Sequence, residues 1–314
     1  MSLFDDLVLE DEQANEEEGV KKILLVGVGR EAERTIDLVR ANRALRFFVP
    51  KKHKLEIQCF NKKSDDLFSL KMRSTQFDVA LVLTCPKDNS TAELFLSVVE
   101  ILSERIPVIT MVTQFDDPNN PERGVVGDKI TDDLKKYSNA LIIADLNTKY
   151  RVTNKAEEVE ETDEIEGADE LQYFGCLNIP ISDIIKMISI DNEICFDKKD
   201  LALVCDRKED NRAFFREYSF QELEDEEELR ADIEHFQLPM VLKEAKAALI
   251  NISISDELSL LAFTKIVNTI KSYADNNVEV IFSLTYDSSL ETNCFDLTVL
   301  ATGISHSSDI FRSI

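Results

Sequence analysis

The sequence predicts a mixed α/β protein, with a Rossmann-like parallel-sheet domain in its N-terminal part and a smaller α+β unit after it. Buried-type strands alternate with helical patterns from Lys22 to Ala144, a Gly27-Val28-Gly29 turn follows the first strand, and residues 248–303 read as β-α-β-β. Strands and helices alternating at that spacing imply a parallel, doubly wound sheet. The 314 residues suffice for two domains, each with its own core.

Lys22–Val26 is the first strand, and Ala32, Ile36, Leu38 and Val39 mark the helix after the turn. A strand, a GxG turn and a helix suit nucleotide binding, because glycine lets backbone amides approach a phosphate at the helix N-terminus. Gly27 to Ala32 also fits the looser G-x-G-x-x-A dinucleotide fingerprint. An NAD enzyme would want an acid after the second strand, Leu55–Phe60, where Asn61 stands instead. Strands at Val79–Leu83, Val108–Val112 and Ala140–Ala144 alternate with helices at Ala92–Leu102, capped by Ser90 or Thr91, and Ile130–Tyr137. Ala213–Phe220 is a strand, and Gln221–Glu244 an acidic helical segment ending in a break at Pro239.

Ala248 to Ile254 alternates with period two. Ser259 caps the following helix, whose inner face carries Leu260, Phe263, Ile266, Val267 and Ile270, while Lys265, Asn268 and Lys271 face outward. Val278 to Tyr286 alternates again, Asp287-Ser288-Ser289 turns the chain, and Phe295 to Ala301 forms the last strand.

Hydrophobic residues at 44% fit a globular protein, and no apolar run approaches the roughly 20 residues of a membrane span. The first 20 residues are acidic, so no signal peptide is expected. Cys59, Cys85, Cys176, Cys195, Cys205 and Cys294 lack paired metal-ligand spacing and read as reduced, mostly buried thiols of a cytoplasmic protein without a metal site. The net charge of −25 disfavours nucleic acid and anionic membranes as partners. Acids gather at residues 5–18, 157–170 and 222–228, which read as solvated tails and loops. Leu3, Phe4, Leu7, Val8 and Leu9 interleave with the first cluster, making it either a disordered tail or a segment that docks in a partner's groove. Arg40, Arg43, Arg46, Lys51, Lys52 and Lys54 form a basic patch, either an exposed helix face with its loop or a receiver for an acidic tail.

Ala-Leu-Ile-Asn-Ile-Ser (248–253), Leu-Ser-Leu (258–260), Asp-Ser-Ser-Leu (287–290) and Thr-Val-Leu-Ala-Thr-Gly (298–303) resemble, in order and spacing, the C-terminal domain of FtsZ, the prokaryotic tubulin homologue. Asn61 to Leu67, Thr113-Gln114-Phe115 and Ile181-Ser182-Asp183-Ile184-Ile185 are similar to FtsZ segments further upstream. The resemblance implies an acidic tail over 1–20, a nucleotide-binding-like domain over 21–170, a central helix and loop over 171–200, an FtsZ-like C-terminal domain over 201–306 and a short tail over 307–314. Gly175 and Pro180 would interrupt the central helix.

By that resemblance the nucleotide-binding positions are Gly27, Gly29, Asn61, Ser90 and Thr91. The family's glycine-rich phosphate cradle is replaced by Cys85-Pro86-Lys87-Asp88-Asn89-Ser90-Thr91, without a glycine, and Arg30 and Glu31 stand where FtsZ carries further glycines. Side chains restrict close approach, Pro86 lacks an amide, and Asp88 and Glu31 repel phosphate. Asp197 and Asp200 match two acids of the FtsZ loop that enters the next subunit's pocket, with Cys195 in place of an asparagine. They are vestigial catalytic candidates or caps of a helix start.

These residues imply a non-catalytic FtsZ/tubulin-like protein, without a cofactor, acting as a cytoskeletal or cell-division scaffold or polymer modifier. Its partners would be FtsZ or FtsZ-like subunits, or copies of itself, with no nucleic acid and no membrane insertion. Three alternatives stay open: a divergent polymerising GTPase using GTP/GDP with Mg, a dinucleotide-binding oxidoreductase, and a small-molecule sensor with a site between the domains.

Overall fold

The structure, a computed structural model, describes residues 22–41, 54–62, 67–86, 88–114, 130–145, 181–188, 194–205, 211–220, 226–255, 258–292 and 294–305. The two tails, the acidic stretch at 157–170, most of the basic patch, Cys176, Gly175 and Pro180 lie outside them.

The N-terminal half runs β1 (Lys22–Val28), α1 (Arg30–Ala41), β2 (Lys54–Phe60), α2 (Leu67–Arg73), β3 (Val79–Thr84), α3 (Asn89–Ser103), β4 (Val108–Gln114) and β5 (Ala140–Asp145). These strands are parallel, in the order β2-β1-β3-β4-β5. β1 and β3 are buried on both faces and apolar almost throughout, as a sheet covered by helices on both sides requires.

A helical segment at 181–188 precedes α4 (Lys198–Cys205). There follow β6 (Arg212–Phe220), α5 (Glu226–His235), α6 (Leu238–Glu244), β7 (Ala247–Ile254), α7 (Leu260–Tyr273), β8 (Glu279–Tyr286) and β9 (Phe295–Ile304). Among the described residues all nine strands form one sheet, which continues β5-β6-β9-β7-β8. The two halves meet in a short parallel ladder, Leu141 with Arg212 and Ile142 with Ala213. Beside it the buried Asn211 side chain donates to the carbonyls of Leu134 and Ser138, at 3.1 and 2.8 Å.

The β-α-β-β unit is present, but its turn after Tyr286 joins strands that are not neighbours. β8 pairs with β7 in parallel, while β9 inserts antiparallel between β6 and β7. β9 is buried along almost its whole length and takes the centre, and the half-exposed β8 takes the edge.

Three apolar clusters hold this sheet. One face of the N-terminal half packs α2 and α3, and one face of the C-terminal half packs α5, α6 and α7. The third cluster spans both halves: Ile181, Ile184, Ile185 and Ile188 lie against Leu25, Leu81 and Ile109 on one side and Leu249 and Leu300 on the other. The 181–188 helix is covered nearly all round, its isoleucines and Met187 in the apolar cluster and Ser182 and Asp183 buried beside them.

Two local expectations need correction. Pro239 begins a helix rather than breaking one: it sits in the first turn of α6, where its fixed φ suits the helix and no amide is needed. Leu260 does not face the core, being 60% exposed, because it occupies the first position of α7 while Phe263, Ile266 and Ile270 turn inward. Ser259 caps that helix as expected, its Oγ accepting from the Ala262 amide.

Candidate functional site

α1 and α3 pack on opposite faces of the sheet, so the winding reverses between β1 and β3. At such a switch point the two loops diverge beyond the carboxyl ends of the strands and leave a crevice. Gly29 and Thr91 meet there. Gly29 has φ +93°, and a Cβ on it would stand 2.8 Å from Thr91 Cγ2. Its amide donates to the Phe60 carbonyl at 2.9 Å. Gly27 lies deeper in β1, where a Cβ would fall 2.6 Å from Ile36 Cδ1 and 3.3 Å from the Ala32 carbonyl oxygen. Both glycines therefore have packing reasons to be glycine.

On the other side of β1, just past the end of β2, Asn61 Nδ2 donates to Glu33 Oε2 at 2.9 Å. At the N-terminus of α3, Asp88 is the cap, its Oδ1 accepting from the Thr91 amide at 2.7 Å. That bond holds its carboxyl below the ordinary 3.8. The expectation that Ser90 or Thr91 caps the helix is corrected: Ser90 is exposed, and Thr91 supplies the amide that is capped. The five nucleotide-binding candidates thus gather at one end of the sheet, and a carboxylate of the chain itself already binds the α3 N-terminus.

Asp197 and Asp200 lie elsewhere. The Asp197 amide donates to Asp200 Oδ2 at 2.9 Å, and the Asp200 amide to Asp197 Oδ1 at 2.7 Å, a reciprocal box that starts α4. Burial pushes the Asp200 carboxyl up. The adjoining Lys198 pairs with Asp78 at 2.9 Å, and Asp78 also accepts from the Lys22 amide. This ties the turn to the amino ends of β1 and β3, about 20 Å from the crevice at the rise of a strand. Ile194, beside the exposed Cys195, bridges to Leu284 of β8. Exposed Ile194, Tyr286, Leu260 and Leu261 lie around the carboxyl ends of β7 and β8. Of the other described cysteines, Cys85 and Cys205 are buried and Cys59 and Cys294 are half-buried, so the burial expected of the thiols is partial.

A feature the sequence reading missed lies under the 181–188 helix. Strand register aligns Glu217, Thr298, Asn251 and Ser283 in one row, and Ser219, Asp296, Ser253 and Thr285 in the next, all on one face of the sheet. The signal was present in the alternation of these strands, whose outward-reading positions are polar, but only pairing stacks them opposite a helix. Glu217, Thr298 and Asn251 of the first row and Asp296, Ser253 and Thr285 of the second surround, with Asp183 and Lys186, a pocket of about 110 Å³. Burial pushes Asp183 up to about 6 against the pull of Lys186, 3.5 Å away. Glu217 stands at the rim, partly open to solvent; its partial enclosure and the Asp183 and Asp296 carboxylates push it up to about 7. Among the described residues no three His, Cys, Asp or Glu side chains converge to hold a metal ion, and no helix is long and apolar enough to cross a membrane.

Residues 223–305 match the FtsZ family, C-terminal domain. No curated protein sequence matches the chain significantly. Solved structures match over nearly all of it. An empty FtsZ dimer of M. jannaschii superposes with a TM-score of 0.68 at 16% identity, covering 96% of this chain and 92% of that one. The GTPγS-bound CetZ2 protofilament of Haloferax volcanii gives 0.64 at 10% identity, covering 93% and 96%. The GTPγS-form TubZ protofilament of Bacillus thuringiensis serovar israelensis gives 0.57 at 12% identity, covering 94% and 89%. Residues 223–305 thus match an FtsZ-family C-terminal domain, and the chain as a whole has the fold of FtsZ, CetZ and TubZ.

Proposed function

We propose that this chain is a non-catalytic, tubulin-like assembly protein, a scaffold or polymer modifier that works without GTP. The observation that carries the reading is Asp88: its carboxylate takes the amide at the start of α3, where a phosphate would otherwise be held. Pro86 and the missing glycines agree with it, as does the Gly29 amide's bond to Phe60. Assembly is supported by the dimer and protofilament forms of the structural relatives. The partner is a second copy, or an FtsZ-like subunit whose intact crevice would receive the Asp197–Asp200 end.

Calorimetry of the purified protein with GTP and GDP, with and without magnesium, tests the loss of nucleotide, and co-pelleting alone and with FtsZ tests assembly. The expected outcome is no nucleotide binding together with self-assembly or altered FtsZ polymers. Micromolar binding would restore the divergent GTPase, which the retained crevice favours; absence of both assembly effects would overturn the scaffold.

A further inference from the structure

We propose that the acidic and apolar segment Leu3 to Leu9 docks on the outer face of α2 in the same chain. Phe68 and Met72, one helical turn apart on α2, are 73% and 62% exposed, while Leu70 between them turns into the core. Two large apolar side chains side by side in water gain from being covered. What can cover them follows from where the chain leads. Residues 1–21 lie outside the described residues and enter β1 at Lys22. The Lys22 amide donates to Asp78 Oδ2 at 2.9 Å, and the Asp78 amide donates to the Lys22 carbonyl at 2.8 Å. Asp78 stands six residues after Met72, across the tight 3-10 turn Ser74–Gln76. At the rises of a helix, that turn and an extended chain, the Met72 backbone is at most about 16 Å from Asp78, and Phe68 about one 5.4 Å turn further.

Fourteen residues separate Val8 from Lys22. That length spans roughly 20 Å as a relaxed coil and about 46 Å at full stretch, so the segment reaches α2 without strain. The tether also keeps it at a high effective concentration there. The two surfaces match in kind. Leu3, Phe4, Leu7 and Val8 recur with the spacing of one helical face, and Asp5 and Asp6 fall on the other. In a chain of net charge −25, α2 carries Lys71 and Arg73 and no acid. Both cations hold an acid of the chain, Glu104 and Glu56, which leaves the surroundings of Phe68 and Met72 close to neutral. The competing surface is the group of exposed apolar residues at the carboxyl ends of β7 and β8. There Asp287 follows Tyr286 and the Asp197–Asp200 box follows Ile194, carboxylates that repel an acidic segment. Docked on α2, the segment would strap the amino ends of β1 and β3 and mask the apolar pair.

The chain has no tryptophan, so Phe4→Trp in the full chain supplies a single indole within the segment. Its emission is expected to be blue-shifted, with acrylamide quenching at least threefold weaker than in the urea-unfolded protein and unchanged on dilution. Adding Phe68→Ser with Met72→Ser should restore full quenching, whereas Leu260→Ser with Leu261→Ser should leave the indole shielded. Met72→Ser alone provides the same comparison should the double substitution on α2 fail to fold. An indole quenched as fully in the folded chain as in urea would overturn the proposal. So would shielding that survives the α2 substitutions, or that is lost through Leu260→Ser and Leu261→Ser instead. Shielding that fades on dilution overturns the contact within one chain, because the segment then sits on another copy.

Discussion

Asp88 has three consequences that can be separated by substitution. Removing the cap with Asp88→Ala is expected to cost about 1 kcal/mol in urea unfolding, whereas Asp88→Asn keeps an acceptor and should cost only a few tenths. Because its folded carboxyl lies below 3.8, the stability it adds is present above that pH and is lost as pH falls below it. The third is functional: neither change should create GTP affinity, since Pro86 and the side chains of the loop remain. Gly27 gives a sharper packing test. Gly27→Ala drives a methyl to 2.6 Å from Ile36 Cδ1 and should destabilise by about 1–3 kcal/mol. In an Ile36→Val background that atom is gone, and a double-mutant cycle should show part of the cost recovered; an unchanged cost would place the clash at the Ala32 carbonyl instead.

At the scale of elements, the α5–α6 junction shows how a local conformation is imposed by what flanks it. Gln237 is exposed and left-handed, with φ 60°, because α5 must end and α6 must start within two residues so that Ile233 and Leu238 reach the same core. Gln237→Gly should stabilise the protein by about 1 kcal/mol, measured by thermal or urea unfolding, since a Cβ is disfavoured there. Legibility in the sequence followed the same division. Period-two and period-3.6 patterns found β1, β3, α3, β7 and α7 within a few residues, because each buries a regular face. They misplaced Leu260 and Pro239 because element ends answer to neighbours. The cap of α3 went to Ser90 or Thr91 for the same reason, since several adjacent residues there can each accept a bond.

The whole molecule couples its halves through the 181–188 helix, and that coupling should depend on pH. Asp183 and Glu217 are raised to about 6 and about 7, so their protonated forms favour the fold. Stability should be fullest below the ordinary carboxylate pKa and fall as pH rises through 6 to 7. Urea unfolding between pH 4.5 and 8 should show this decline in the natural chain and a flatter profile in Glu217→Gln; identical slopes would remove the pair from the account. At this same scale the crevice and the Asp197–Asp200 turn lie at opposite ends, an arrangement suited to head-to-tail contact between copies.

The sequence by itself determined the strand order, most of the helices though not α2 or the division of residues 221–244 into α5 and α6, the resemblance to FtsZ and the lack of glycine in residues 85–91, since these are written in local pattern and residue type. It also placed every crevice candidate at the end of a strand or the start of a helix. Only the tertiary structure decided that β9 enters between β6 and β7, that Asp88 and not its neighbours caps α3, and that two polar rows close over Asp183. Strand pairing and helix docking join residues far apart in the chain, and the charge environment of a carboxylate is set by those distant neighbours rather than by the residues beside it in sequence.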